Sequence, residues 1–225
     1  MASRILAIVT SVTDLPDGNP TGFWLQELAA PYCSWRDQGI DVDIASPAGG
    51  PVQPDPLSCD DPWLLDEGER FLGDDIAMAK LGSSIAVKDV SVEKYDAIFL
   101  VGGVGAAFDF YPNSDLTALI TEFYRSQKLI SAICTGSIAL SDVMDSAGGK
   151  MIAGRAITGI SNAENQQFHD QPILPVLTET ALREAGAQFV KAPPWEACVQ
   201  MSGRVVTGQN PASAPELARE VSNGI

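Results

Sequence analysis

Histidine is almost absent from this chain, because His169 is the single one in 225 residues. A metal site built from several histidines is therefore excluded, and a Ser-His-Asp triad would have to run through that one residue. The four cysteines are widely spaced, and none lies in a CxxC or Cys/His pattern with metal-ligand spacing. We therefore expect no metal, no cofactor, and free cysteines in a reducing cytoplasm.

Basic residues are also few, since 14 lysines and arginines stand against 29 aspartates and glutamates, for a formal net charge of −15. Nucleic acids and anionic membranes bind basic surfaces, so neither is expected as a partner. No apolar run approaches the length that spans a bilayer. The apolar run near the start is too short for a signal peptide, so we interpret it as a strand of a soluble, cytoplasmic protein.

Apolar runs alternate with amphipathic segments along the chain, which predicts an α/β fold: a doubly wound, mostly parallel sheet with helices on both faces. No linker divides residues 1–225, so one domain is expected, with an excursion from the sheet at about 47–90. The first part of that excursion, 47–75, is rich in Pro, Gly and Asp and suggests a lid or a dimer contact.

The predicted elements follow from these patterns. Thr21 and Ser114 are predicted as helix N-caps. The predicted strands cover residues 5–10, 40–45, 95–101, 128–133, 156–159 and 188–191, with a hairpin of 198–201 and 204–207. The predicted helices cover residues 21–35, 74–81 and 115–126, then 178–185, with a last helix from about residue 214.

The stretch from residue 128 to residue 140 is a buried apolar strand that runs into Cys134 and then into small residues and a predicted helix. A thiol at such an elbow projects at the carboxyl edge of the sheet, where pockets form in open α/β folds. The positive end of the helix would lower the thiol pKa. The serine elbow of α/β-hydrolases has the same geometry. The alternative interpretation is a buried core cysteine, and the stretch alone favours neither.

Glycines follow the predicted strand at 95–101, in the string Gly102-Gly103-Val104-Gly105. They either bring backbone N–H donors close to a ligand or simply form a tight turn. The string is not a GxGxxG motif in a complete nucleotide-binding context, so a dinucleotide site is excluded.

Blocks of sequence in a fixed order make the chain similar to a known superfamily. The blocks are Thr21-Gly22 with Glu27, Tyr95-Asp96-Ala97 through Gly102-Gly103-Val104-Gly105, Ala132-Ile133-Cys134, and Thr207-Gly208 through Ser213. With them, nearly the whole chain resembles the ThiJ/PfpI superfamily, which implies a class I glutamine amidotransferase-like, flavodoxin-like sandwich. The segments 157–164 and 192–196 look like its glyoxalase III and stress-chaperone branch, whereas Cys134-Thr135-Gly136-Ser137 resembles its isocyanide hydratases.

This resemblance implies that Cys134 is the nucleophile and that Glu27, from the first helix, lies beside it. A carboxyl buried among apolar side chains keeps its proton near neutral pH, so it can donate a hydrogen bond to a thiolate and later exchange a proton with the substrate. The alternative for Glu27 is a solvated helix residue, which its apolar sequence neighbours disfavour.

The resemblance also places oxyanion donors at the backbone N–H groups of Gly103 and Thr135, and it makes Val104, next to Gly103, a predicted substrate-binding residue. Glyoxalase-type members usually carry histidine at the positions of Thr135 and Val104, so no Cys-His pair is available here. Glu164 is a candidate substrate contact or, equally, a helix cap. His169 is expected on the surface or in a lid.

The leading hypothesis is a cofactor-independent enzyme of the hydratase or hydro-lyase kind that acts on a small electrophile. Cys134 would add to an isonitrile, giving an N-formamide, or to a 2-oxoaldehyde such as methylglyoxal, giving a 2-hydroxy acid. Thr135 could position water but cannot act as a base at neutral pH. The alternatives are an oxidative-stress sensor that oxidises Cys134, a holding chaperone, or a tailoring enzyme with another substrate. The partners implied are a small-molecule substrate and, by resemblance, a second copy in a homodimer.

Overall fold

A seven-stranded sheet organises the structure, which is a computed structural model that describes residues 3–167 and 174–225. Its strands are β1 (Arg4–Ile8), β2 (Asp41–Ser46), β3 (Ile85–Ala86), β4 (Ala97–Leu100), β5 (Leu129–Ile133), β8 (Val199–Ser202) and β9 (Val205–Gly208), and a separate pair comprises β6 (Ala156–Ile157) and β7 (Gln188–Phe189). The order in the large sheet is β3-β2-β1-β4-β5-β9-β8. Every pairing in it is parallel except that of the β8–β9 hairpin. The predicted doubly wound, mostly parallel α/β fold is confirmed.

Helices cover both faces of the sheet. They are α1 (Leu25–Asp37), α2 (Asp66–Leu72), α3 (Asp75–Gly82), α4 (Ala106–Asp109), α5 (Ser114–Arg125), α6 (Asn162–Asn165), α7 (Thr178–Glu184) and α8 (Ala214–Asn223). The 3-10 helices cover Pro56–Cys59, Val87–Asp89, Val92–Lys94, Cys134–Asp142 and Pro211–Ser213. Within the described ranges, no helix is both long enough and apolar enough to cross a membrane.

The core lies in two layers, one on each face of the sheet. Successive residues of a strand point to opposite faces, so Ile5 and Ala7 of β1 pack with α1 and α8, whereas Leu6 and Ile8 pack with α5. This two-sided burial explains why the central strands are continuous apolar runs in the sequence.

The beginnings of two helices differ from the predictions. Helix α1 begins four residues after Thr21, whose hydroxyl instead donates to Oδ2 of Asp55 at 2.8 Å. Helix α5 begins at Ser114, and its N-cap is Asn113, whose side chain accepts from the N–H of Leu116 at 3.0 Å. Both predicted caps are therefore wrong: Asp55 takes the hydroxyl of Thr21, and Asn113 rather than Ser114 occupies the capping position of α5.

Residues 47–90 run outside the large sheet apart from β3, and they contain more helix than the sequence indicated. The predicted helix at 74–81 matches α3, whereas α2 and the 3-10 helix Pro56–Cys59 were missed. The segment packs against α1: the N–H of Leu25 donates to Ser58 Oγ at 3.0 Å, and the rings of Phe71 and Tyr32 meet edge to face at 5.0 Å. It therefore supports the helix that carries Glu27.

Candidate active site

Cys134 lies immediately after β5, at the start of the 3-10 helix Cys134–Asp142, and its φ is +54°. Left-handed backbone at a residue with a side chain is strained and occurs often at functional sites. The turn is packed so tightly that a Cβ at Gly136 would lie 2.5 Å from the carbonyl oxygen of Leu100. The thiol is thus held at the carboxyl edge of the sheet, where the elbow prediction put it.

Glu27 projects from α1 toward the same edge and is completely buried. A Cβ at Gly102 would collide with Oε2 of Glu27 and would lie 2.8 Å from Cβ of Cys134. Only glycine at this position leaves room for the carboxyl group beside the cysteine. The end of β4 therefore determines how closely the two side chains approach each other.

Burial raises the pKa of Glu27 from 4.5 to about 8. Neither carboxyl oxygen of Glu27 makes a hydrogen bond with standard distance and angles to a described residue. The Cys134 thiol and the Gly102 N–H are nevertheless close enough to offset part of the effect of burial on the pKa. Glu27 is therefore a carboxylic acid at neutral pH, as the sequence analysis expected from its apolar neighbours.

Burial also raises the pKa of the Cys134 thiol, and the neighbouring Glu27 raises it further. The hydroxyl of Thr135, whose Oγ1 lies 3.8 Å from Sγ, and the Thr135 N–H act in the opposite direction. The expected lowering of the thiol pKa by a helix N-terminus is therefore wrong, because desolvation outweighs it. The thiol and the carboxyl group are a coupled pair that keeps at least one proton at neutral pH.

A cavity of about 30 Å³ opens beside this pair. Five of the six predicted site residues line it: Cys134, Glu27, Thr135, Gly103 and Val104. A single water molecule needs a cavity of roughly 10–15 Å³, so this cavity admits only a small molecule.

Gly103 brings its backbone to this cavity through a left-handed turn with φ of +113°. A Cβ there would lie 2.6 Å from the carbonyl oxygen of Gly22 and the amide nitrogen of Trp24, so the turn requires glycine. Its N–H makes no hydrogen bond to a described residue, whereas the N–H of Thr135 points at the Cys134 sulfur. The Gly103 N–H is thus available to a substrate oxygen.

Glu164, the sixth predicted residue, lies behind the cavity wall rather than in it. Its Oε1 accepts from the Trp195 N–H at 3.0 Å and from the amides of Gln209 and Asn210 at 3.0 and 2.8 Å. Its Oε2 accepts from the N–H and the hydroxyl of Ser161, which closes a capping box on α6. Both oxygens are engaged by protein, so the helix-cap alternative describes Glu164 and the predicted substrate contact does not.

The rest of the cavity wall was missed by the sequence analysis. It consists of Trp24, Ile160, Asn165, Leu174, Trp195 and Pro211. Trp63 packs beside two of these residues, with ring centroids 5.5 Å from Trp24 and 6.4 Å from Trp195. The one signal in the sequence was a concentration of tryptophans in segments rich in proline. His169 lies outside the described residues.

No group of three or more His, Cys, Asp or Glu side chains in residues 3–167 and 174–225 could hold a metal ion. Among the described residues that line the cavity, the groups that can react are the thiol of Cys134 and the carboxyl group of Glu27.

Residues 21–223 match the model of the DJ-1/PfpI family. The chain belongs to the DJ-1/PfpI family, which confirms the resemblance to the ThiJ/PfpI superfamily. Among curated relatives, the glutathione-independent glyoxalase of Saccharomyces cerevisiae is 29% identical, covering 96% of this chain and 94% of that protein. Glyoxalase 3 of Candida albicans is 28% identical, covering 97% and 96%. The similarity to the glyoxalase III branch is thus confirmed.

Solved structures show the same similarity. The Rapid Encystment Protein of 24 kDa from Francisella tularensis superimposes with a TM-score of 0.92 at 33% identity, covering 99% of this chain and 98% of that one. The crystal structure of glyoxalase III from Candida albicans gives a TM-score of 0.89 at 27% identity, covering 99% and 97%. The likeness therefore extends over the whole fold.

Proposed function

We propose that this protein converts small 2-oxoaldehydes, such as methylglyoxal, into 2-hydroxy acids, with Cys134 as nucleophile and Glu27 as proton carrier. The observation that carries the proposal is the buried thiol–carboxyl pair, which opens into a cavity of about 30 Å³ and retains a proton near neutral pH. The similarity to relatives named glutathione-independent glyoxalase and glyoxalase 3 supports the same substrate class.

The reaction begins from the form of the pair that holds a single proton, on Glu27; this is a minor form at neutral pH, because burial raises both pKa values. The Cys134 thiolate attacks the aldehyde carbon, and the C=O pair of electrons moves to oxygen. The N–H of Gly103 faces this oxygen as it becomes negative. Glu27 then gives its proton to the oxygen, and a hemithioacetal results. A carboxyl group with a pKa of about 8 suits this role, because proton transfer is most efficient when the pKa lies near the operating pH.

Glu27, now a carboxylate, next removes the hydrogen on the former aldehyde carbon as a proton. The freed electron pair forms a C=C bond to the neighbouring carbon, whose carbonyl becomes an enolate oxygen. Glu27 returns the proton to that second carbon, and the hydroxyl proton on the first carbon passes to the enolate oxygen, which leaves a thioester of the 2-hydroxy acid on Cys134. Water then attacks the thioester while the Glu27 carboxylate takes one of its protons. The C–S bond breaks, which releases the 2-hydroxy acid and restores the Cys134 thiolate beside protonated Glu27. The sum is addition of one water to the 2-oxoaldehyde, with no external oxidant or reductant.

Hydration of isonitriles is a second candidate, and Thr135 is the residue that favours it. Its hydroxyl lies 3.8 Å from the Cys134 sulfur, where relatives of the glyoxalase type usually have histidine. Cys134 would attack the isonitrile carbon while Glu27 protonates it, and water held by Thr135 would release the N-formamide. The hydroxyl can hold water without acting as a base, which this route requires.

Turnover assays on methylglyoxal and on an alkyl isonitrile separate the two candidates. Each is run with the wild-type protein, Cys134→Ala, Glu27→Gln and the matched control Cys59→Ala, since Cys59 is a free cysteine outside the cavity lining. We expect 2-hydroxy acid from the wild type and Cys59→Ala, and none from the other two.

Formamide that depends on Cys134 would instead favour the hydratase. Absence of both activities would contradict the proposed function and leave the non-enzymatic alternative of a stress sensor. Selective oxidation of Cys134 by mild peroxide, measured by mass spectrometry, would then test that alternative.

A further inference from the structure

Asn165 is a polar residue in the cavity wall that the reaction described above does not use. It is the last residue of α6, and its side-chain nitrogen is buried without a hydrogen-bond partner among the described residues. Buried N–H groups in proteins nearly always have an acceptor, and losing one is costly. An acceptor supplied by a bound molecule would satisfy this nitrogen.

Hydrogen bonds fix the backbone position from which the Asn165 side chain extends. The N–H of Asn165 donates to the Ser161 carbonyl oxygen at 3.0 Å, within the helix that Ser161 caps. At the start of α6, the N–H of Asn162 donates to Oε2 of Glu179 at 2.8 Å.

The surroundings of this donor define the ligand chemistry. The neighbouring described residues of the wall, Ile160, Leu174, Trp195 and Pro211, offer apolar side chains, and no described lining residue carries a positive charge. An anionic ligand would therefore lack a counter-charge there. A neutral oxygen acceptor is what the amide fits.

We propose that the side-chain amide of Asn165 donates a hydrogen bond to the 2-oxo oxygen of the substrate, while the Gly103 N–H serves the aldehyde oxygen. This assignment rests on the proposed function. Two donors for two adjacent carbonyl oxygens make the cavity selective for uncharged dicarbonyl compounds. A plain aldehyde uses one of the donors, and an isonitrile carbon uses neither.

The test uses two probes that differ by the oxygen in question and that lack an aldehyde hydrogen, so neither can be converted to a 2-hydroxy acid. The pyruvamide ketone can still add a thiol reversibly, so protection counts as binding only where carbon NMR of pyruvamide labelled at the ketone carbon shows no adduct. Pyruvamide carries adjacent carbonyl groups, whereas propanamide lacks the 2-oxo oxygen and is otherwise the same molecule. Iodoacetamide alkylates Cys134, and the mass of the Cys134 peptide gives the rate of alkylation. This rate is measured at increasing concentrations of each probe. The rate of the same variant without a probe is the reference. Methylglyoxal turnover is measured on the same samples.

The variants are Asn165→Leu, which keeps the number and branching of the side-chain heavy atoms and removes the donor, and Asn165→Ala, which serves if the larger leucine side chain prevents folding or fills the cavity. The matched control is Gln166→Leu, at the neighbouring exposed position. In the wild type and the control, we expect pyruvamide to protect Cys134 at about tenfold lower concentration than propanamide, the effect of one buried hydrogen bond. In the Asn165 variants, we expect this difference to vanish and kcat/KM for methylglyoxal to fall about tenfold.

The outcomes separate this inference from the proposed function. If the wild type does not turn over methylglyoxal but Asn165→Leu abolishes the preference for pyruvamide, the proposed reaction is wrong and the dicarbonyl contact stands. If folded Asn165 variants behave like Gln166→Leu toward both probes, the assignment of Asn165 is overturned, whatever the turnover.

Discussion

Replacing Glu27 with glutamine should make the stability of the protein less sensitive to alkaline pH. Burial raises the pKa of Glu27 from 4.5 to about 8, so between these values the folded state holds a proton that the unfolded state has released. The wild type should therefore lose about 1.4 kcal/mol of unfolding free energy per pH unit across this range. Glutamine has nearly the same shape and does not titrate.

The magnitude follows from integrating that slope. Below pH 4.5 both states of Glu27 are protonated, and above pH 8 neither is, so the effect is confined to the window between. Relative to the wild type, Glu27→Gln should gain at most about 5 kcal/mol of unfolding free energy from pH 4.5 to pH 9. It should lose catalysis at the same time, because the amide cannot carry the proton.

The assay is urea unfolding at a series of pH values from 4.5 to 9, monitored by tryptophan fluorescence. The quantity compared is the difference in unfolding free energy between wild type and variant at each pH, which removes the contribution of titrating groups that do not interact with Glu27. Glu122→Gln, at an exposed position of α5, is the matched control and should leave this difference flat. Parallel curves for the wild type and Glu27→Gln would refute the raised pKa and, with it, the neutral acid beside Cys134.

Three further substitutions test the geometry of the site. Gly102→Ala should reduce kcat/KM by about 100-fold, because its Cβ displaces the Glu27 carboxyl group, and wild-type kinetics would contradict that placement. Glu164→Gln should lower the unfolding free energy, measured in urea, by roughly 2 kcal/mol, because an amide cannot accept all the hydrogen bonds that the Glu164 side chain accepts. Equal stability of the variant and the wild type would argue that these hydrogen bonds do not stabilise the cavity wall. Thr135→Val should move alkylation of Cys134 to higher pH, since the hydroxyl lowers the thiol pKa, and an unchanged profile would remove Thr135 from that role.

The sequence predicted the fold well because the sheet is buried on both faces. Continuous apolar runs at β1, β4 and β5 and the abrupt change to small residues after Cys134 are direct consequences of that burial. The resemblance to the superfamily pointed to Glu27, and its apolar neighbours in the sequence then predicted that it is buried and keeps its proton. These inferences succeed because they depend on local patterns and on burial alone.

The features of the site that the sequence analysis missed or predicted wrongly depend on the tertiary structure. Trp24, Asn165 and Trp195 meet at one cavity although about 170 residues separate the first from the last, and no local pattern brings them together. The thiol pKa was predicted in the wrong direction because helix position is visible in the sequence, whereas complete desolvation of Cys134 is not. The role of Glu164 likewise became clear only with its partners Gln209 and Asn210 in place.

The central claim is that Glu27 carries a proton between the two carbonyl carbons of a substrate bound to Cys134. The most direct measurement is the conversion of methylglyoxal by the wild type in heavy water, with the deuterium content at the second carbon of the product measured by proton NMR. The account predicts deuterium there, because the proton on Glu27 exchanges with solvent before it is returned. A product with only protium at that carbon, together with undiminished conversion by Glu27→Gln, would mean that the hydrogen moves directly between the carbons, and would contradict the role assigned to Glu27.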